Sequence, residues 1–162
     1  KIPYLGLCLG MQIMTIEFAR TVLQDPKITS EEFDEENKLD HSKYIIHFLP
    51  DQSKERDKGG TLRLGSYPCE IKKGTKTYDL YKKTLIEERH RHRYEFNNDY
   101  KTALENAGMV FSGIYKKGNL IEIAELKDHP FMIGSQFHPE FKSRPFRPHP
   151  LFKGFIDAAK RK

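Results

Sequence analysis

The chain has 162 residues, enough for one domain with a sizeable core, and 37% hydrophobic against 31% charged residues is an ordinary soluble balance. Its formal charge of +5 comes from 28 basic and 23 acidic residues, too mixed for a phosphate-tracking stripe; with no Trp, nucleic-acid binding rests on charge alone. No stretch approaches the ~20 apolar residues that span a bilayer, and no signal sequence is read.

Two cysteines, Cys8 and Cys69, are too few for a disulfide scaffold. Reduced thiols in a cytoplasmic protein are therefore expected. The chain opens on a short apolar run, Ile2 to Leu7, that reads as a buried strand. Proteins seldom begin that way, so upstream strands are expected to be missing. Gly6-Leu7-Cys8-Leu9-Gly10 then turns the chain into a helix from Met11 to Gln24, stopped by Asp25-Pro26. On that helix Ile13, Ile16, Arg20 and Leu23 share one side, with Met14, Phe18 and Val22 widening the apolar stripe.

Residues 27–43 are polar and rich in acids, among them Glu31, Glu32 and Asp34, and read as a surface loop. A strand follows over 44–49, a charged loop over 50–60, then strands at 61–67 and 69–72 and a short helix at 77–83. Residues 85–96 read as extended, and strand alternation puts Arg89, Arg91 and Arg93 on one face with His90 and His92 on the other. A helix over 99–107 ends at Gly108, placed for a left-handed cap. Strands at 109–115 and 120–126 flank a Lys116-Lys117-Gly118-Asn119 hairpin turn, and 131–137 is a further buried strand. After His138-Pro139-Glu140 and a Pro-rich loop, a final helix runs from Pro150 to about Arg161. The whole is one α/β domain whose sheet mixes parallel and antiparallel strands.

The chemistry-bearing feature is Gly-x-Cys-x-Gly between a strand and a helix. Such a turn strains the nucleophile's backbone, and its glycines let strand and helix approach closely. The Cys8 sulfur then sits at a helix N-terminus, where the dipole and free N–H groups are expected to lower its pKa. The Leu9 N–H points to where an oxyanion would form. A buried cysteine is as often a small core residue, so Cys8 alone leaves the two readings even. His138-Pro139-Glu140, just past the end of a buried strand, supplies the second signal. His138 can take the thiol proton and return it to a leaving amine, while Glu140 orients the ring. Together they read as a Cys-His-Glu triad. No paired Cys/His spacing supports a metal site.

GLCLGMQ (6–12) with QFHPEF (136–141) resembles the class I, or triad, glutamine amidotransferases. GGTLRLG (59–65), ERHRHRYEFNN (88–98) and FHPEFKSRPFRPHPLFKGF (137–155) are similar to the CTP synthase branch of that family. The resemblance implies a three-layer, flavodoxin-like α/β domain with a mixed, mostly parallel sheet, spanning 1–162 and partial at its N-terminus. It implies hydrolysis of L-glutamine by Cys8, His138 and Glu140, with Leu9 as oxyanion donor and Gln12 contacting the substrate. Glu32 would receive the substrate's amino group, with Glu31 as the alternative, and Arg93 its α-carboxylate. A free amino acid needs one anion and one cation set apart, and a guanidinium suits a carboxylate. The ammonia would pass to an N-terminal synthetase domain of the same polypeptide that uses ATP and magnesium to aminate UTP. GTP would activate hydrolysis, through contacts near Arg63 and the Arg/His run, and the intact enzyme would be a homotetramer. No cofactor is implied for this domain, and neither a membrane nor a nucleic-acid partner. The glycine-rich loop carrying a second oxyanion donor would lie upstream of Lys1. Another class I amidotransferase, a γ-glutamyl hydrolase and a catalytically silent binding module of the same fold remain the alternatives.

Overall fold

The computed structural model describes residues 1–34, 36, 38–48 and 63–160. The loop expected over 50–60, residues 59–62 of the GGTLRLG stretch and the basic end at 161–162 lie outside the described residues. In chain order come β1 (Tyr4–Leu7), α1 (Leu9–Leu23), β2 (Thr29–Ser30), β3 (Tyr44–Phe48), β4 (Arg63–Ile71) and α2 (Lys76–Tyr81). They are followed by β5 (Leu85–His92), β6 (Tyr94–Phe96), α3 (Lys101–Asn106), β7 (Met109–Tyr115), β8 (Leu120–Leu126), β9 (Met132–Ser135) and α4 (Pro150–Lys160). Among the described residues no helix is long and apolar enough to cross a membrane.

These strands build a six-stranded sheet, ordered β1-β9-β8-β7-β4-β5, and a three-stranded sheet, β2-β3-β6. Helix α1 and the small sheet cover one face of the large sheet around Met11, Met14, Ile45, Phe96 and Phe111. Helices α2 and α4 cover the other around Ile71, Phe131, Phe137 and Leu151. Along β9 the alternation is plain: Met132 belongs to the α1 core and Ile133 to the other. The layering is that of a three-layer α/β domain.

The direction of the strands differs from the expected mostly parallel sheet. Only β1 with β9 and β2 with β3 pair in parallel, whereas β9-β8, β8-β7, β7-β4, β4-β5 and β3-β6 are antiparallel. For β7-β8 and β8-β9 connection length is the cause. Residues 116–119 and 127–131 are too few for the crossover that a parallel pair requires.

Smaller differences have local reasons. The strands expected at 61–67 and 69–72 are one continuous strand, and β7 flanks it only at Glu70 and Ile71. Pro68, which has no N–H to donate, lies beyond that contact. The surface loop expected over 27–43 contains β2, whose Thr29 and Ser30 are buried against β3. Helix α1 turns Met11, Gln12, Thr15 and Ala19 inward with Met14 and Ile16, leaving Ile13 and Leu23 exposed. The inward face is thus rotated from the expected stripe, because the helix must cross β1 and β9 closely.

That close crossing depends on glycine. A Cβ on Gly6 would stand 2.6 Å from the backbone C and O of Gly10, and one on Gly134 2.8 Å from Met11 Cβ. Gly10 itself has ordinary room, since its Cβ would meet only the Tyr4 hydroxyl at 3.6 Å. Of the two glycines in the motif, space requires only the first. Gly6→Ala is therefore expected to lose about 1–3 kcal/mol by overpacking. Gly10→Ala should be neutral or gain up to about 1 kcal/mol, as alanine favours a helix. Thermal denaturation of the two variants checks this; equal losses would contradict it.

Candidate active site

Strands β1 and β9 lie side by side in parallel, with Gly6 opposite Gly134 and Leu7 opposite Ser135. Their carboxyl ends therefore finish together. Cys8 follows the first strand and His138 lies just past the second, so one pairing delivers both. The Cys8 N–H donates to the Ser135 carbonyl at 2.7 Å, and the Cys8 carbonyl accepts from Met11 N and Gln12 N.

Cys8 occupies φ 51°, ψ −107° at the start of α1. A non-glycine residue seldom adopts that left-handed region, and holding it there costs of order 1–3 kcal/mol. It is the strained turn expected of an exposed nucleophile. The sulfur is within reach of the Gln136 amide, with Nε2 at 3.6 Å. Its pKa moves against the expected direction. Burial pushes the thiol up, and the hydrogen bond from the Leu9 N–H only partly offsets this; the charges of Glu140, Glu32 and Glu95 push it further up. The helix terminus does help the thiolate, but desolvation and three carboxylates outweigh it. At neutral pH the group rests as a thiol and needs a base.

His138 is placed to be that base. Its backbone N–H donates to the Arg89 carbonyl at 2.8 Å, tying the segment to β5. Its Nδ1 lies 2.6 Å from Glu140 Oε1, and Nε2 is buried with no hydrogen-bond partner among the described residues. A carboxylate at Nδ1 selects the tautomer with its proton there, leaving Nε2 with a free lone pair. No direct hydrogen bond joins Nε2 to Cys8.

Cys8, Leu9, Gln12, Glu32 and Arg93 line one cavity of about 330 Å³, together with Arg91, His92 and Tyr94. His138 and Glu140 stand outside that lining. Glu31 and Glu32 differ in their hydrogen bonding. Glu31 Oε2 accepts from the Phe48 N–H at 2.8 Å, whereas exposed Glu32 reaches the cavity from a short turn capped by Ser30 Oγ. Gln12 is buried, its Nε2 donating to the Tyr94 carbonyl and to Gln136 Oε1, both at 3.1 Å. A cavity of about 650 Å³ along β5 and residues 142–150 is larger but contains none of the candidate residues. Chemistry, not size, singles out the smaller one.

The arginine–histidine alternation is as expected: Arg89, Arg91 and Arg93 are exposed, His90 and His92 buried. Arg63, placed near a nucleotide contact by the resemblance, is instead buried. Its Nη1 meets Glu122 Oε1 at 2.6 Å and Glu95 Oε1 at 3.3 Å, under the rings of Tyr67 and Tyr115. Burial raises Glu122 to about 8 despite Arg63. His90 falls well below its ordinary value, chiefly by burial and then by the Arg63 charge. Sequence reasoning missed Gln136, Glu95 and this buried cluster. Gln136 stood inside a recognised motif, but only the fold brings Glu95 and Glu122 to the same guanidinium.

The chain belongs to the class-I glutamine amidotransferase family, whose model matches residues 1–158. Within that family its sequence and fold match the glutaminase domain of CTP synthases. The CTP synthase of Dehalococcoides mccartyi is 59% identical over 160 residues, 99% of this chain and 29% of that protein. The solved Trypanosoma brucei CTPS glutaminase domain with bound acivicin is 34% identical with a TM-score of 0.87, covering 99% of this chain and 61% of that one. A putative GMP synthase protein from Thermoplasma acidophilum, 14% identical with a TM-score of 0.59, shares the fold over 98% of this chain and 57% of that one. The chain thus spans about 29% of the length of the curated relative it matches.

Because the thiol is held up by burial and carboxylates, alkylation of Cys8 by iodoacetamide should have its midpoint above that of an ordinary cysteine. Glu32→Gln removes one of those charges and should bring the midpoint down. A rate already on its plateau at neutral pH in the unmodified protein would overturn the assignment of a resting thiol.

Proposed function

We propose that this chain hydrolyses L-glutamine through Cys8, His138 and Glu140 and is the ammonia-supplying domain of a CTP synthase. The observation that carries the reading is the cavity that the strained Cys8 lines together with a carboxylate, Glu32, and a guanidinium, Arg93. Only a ligand with a cationic and an anionic end uses both. Glutamine is such a zwitterion, with its reactive amide at the far end of the side chain.

In this reading His138 Nε2 accepts the Cys8 proton and the thiolate attacks the amide carbon. The Leu9 N–H, which otherwise bonds the sulfur, turns to the oxyanion of the tetrahedral intermediate. Collapse expels nitrogen, protonated by the imidazolium, as ammonia and leaves a glutamyl thioester. Water, deprotonated by His138, releases glutamate and regenerates the thiol. Glu140 holds the ring and stabilises its charged form throughout. Each step uses groups of this chain. ATP, magnesium, UTP and the activator GTP belong to the wider proposal, in which an N-terminal synthetase domain consumes the ammonia and the intact enzyme is a homotetramer.

The test is CTP formation from UTP and ATP by the intact protein, with glutamine or ammonia as the nitrogen source. Cys8→Ala should lose glutamine-dependent synthesis and keep ammonia-dependent synthesis. Arg93→Ala should raise the glutamine KM by roughly ten- to a hundredfold, as loss of a charged hydrogen-bond partner does, with less effect on kcat. Glutamine use that survives Cys8→Ala removes the nucleophile from the mechanism. Ammonia release without CTP formation from either source points to another class I amidotransferase.

A further inference from the structure

Arg93 stands at a corner. β5 ends at His92 in the six-stranded sheet and β6 begins at Tyr94 in the three-stranded one, leaving Arg93 as the single residue between them. Its side chain is exposed and makes no hydrogen bond or ion pair among the described residues. Its aim is therefore inherited from the backbone on either side, and both sides are pinned.

Across the corner, His92 Nε2 donates to Glu95 Oε1 at 2.6 Å. The same oxygen accepts from Arg63 Nη1 at 3.3 Å, and Arg63 is anchored in turn on Glu122 of β8 at 2.6 Å. The Tyr94 carbonyl is held by Gln12 from α1. His92, Glu95, Arg63 and Glu122 are 5%, 1%, 6% and 0% exposed, so water does not compete for these contacts. Glu95 is the member that joins the two sheets, as its carboxylate binds a side chain of β5 and one of β4 while its backbone lies in β6.

We infer that Glu95 is a positioning residue for substrate recognition: through His92 it fixes the corner and thereby aims Arg93 at the α-carboxylate of glutamine, without touching the substrate. The inference rests on the glutaminase reading above. A guanidinium grips a carboxylate through two parallel hydrogen bonds, so its benefit depends on orientation as well as on charge. A loosened corner leaves the charge in place and removes the preorganisation. The defect should therefore fall on binding of glutamine and leave the thiol chemistry, which Arg93 does not serve, largely intact.

A double-mutant cycle separates this from a merely structural role. Ammonia release from glutamine is measured for the intact protein, Glu95→Gln, Arg93→Ala and the double variant, with thermal denaturation as the check on folding. Glu95→Gln should raise KM about tenfold, the loss expected for a charge-assisted hydrogen bond, with no fall in kcat, because removing the Glu95 charge eases ionisation of Cys8. In the Arg93→Ala background the same substitution should leave KM unchanged, since the group it positions is gone. His92→Ala breaks the same bond from the other side and should repeat the pattern if Glu95→Gln proves too unstable to assay. A KM increase of equal size in both backgrounds overturns the inference, as does a fall in kcat at constant KM, and either result leaves the glutaminase reading standing. Absence of Cys8-dependent ammonia release from the unmodified protein rejects that reading, and this inference with it.

Discussion

In the six-stranded sheet the one parallel contact among the described residues joins β1 to β9, and the candidate chemistry sits at the carboxyl ends of those two strands. An antiparallel neighbour would have put the second end on the opposite edge of the sheet. Parallel register instead sets Leu7 against Ser135, so the residues that follow each strand emerge together. The bond from Cys8 N–H to the Ser135 carbonyl closes that arrangement and helps hold the nucleophile in its strained backbone conformation. Gly6 and Gly134, opposite one another, let α1 descend onto the pair at a distance no side chain would allow. Nucleophile, helix terminus and base all depend on that one pairing.

Electrostatics gives the site a resting state that is not the reactive one. Glu140, Glu32 and Glu95 all raise the Cys8 thiol, and burial raises it more. On the proposed reading this suits an enzyme that should act only when loaded. Glutamine brings an ammonium to Glu32 and cancels one of the charges opposing the thiolate, so substrate binding itself favours ionisation. On that reading the carboxylate end is drawn to Arg93, which lines the same cavity. Glu32, one of the two residues that on that reading would select a zwitterion, also couples selection to activation. On the same reading Glu140 takes no part in this exchange, because its Oε1 is engaged with His138 Nδ1.

Much of this was legible in the chain because the decisive features are local. Gly6-x-Cys8-x-Gly10 between an apolar run and a helix, and His138-x-Glu140 after another apolar run, depend on near neighbours alone. So does the Arg/His alternation of β5, which follows the period of a strand. What was not legible depends on pairing partners. The sheet's balance of directions follows from which strands the short 116–119 and 127–131 links join. The upward shift of Cys8 follows from burial and then from the charges of Glu140, Glu32 and Glu95, all remote in sequence. The rotated inner face of α1 follows from glycines on β1 and β9, not from the helix's own periodicity. Glu31 and Glu32 are adjacent and chemically alike, and the fold separates them by giving Glu31 the Phe48 N–H and Glu32 a place in the cavity lining.

The buried polar cluster looks costly until its charges are counted. Arg63 faces two carboxylates in a site closed to water, and desolvating three charges would exceed what their attraction returns. Burial eases this by raising Glu122 to about 8, which lessens the charge that the guanidinium and its partners bury together. His90, 3.3 Å from Glu122 Oε2, is held neutral by the same burial and by Arg63. Of the two carboxylate contacts of Arg63, the one to Glu95 at 3.3 Å points from β4 toward the corner that carries Arg93. An apolar core of the same volume could pack as well, but it would place no directional bond across that corner. Directionality is what an exposed guanidinium with no partner among the described residues requires, and it gives a reason for charge where stability alone would favour hydrocarbon.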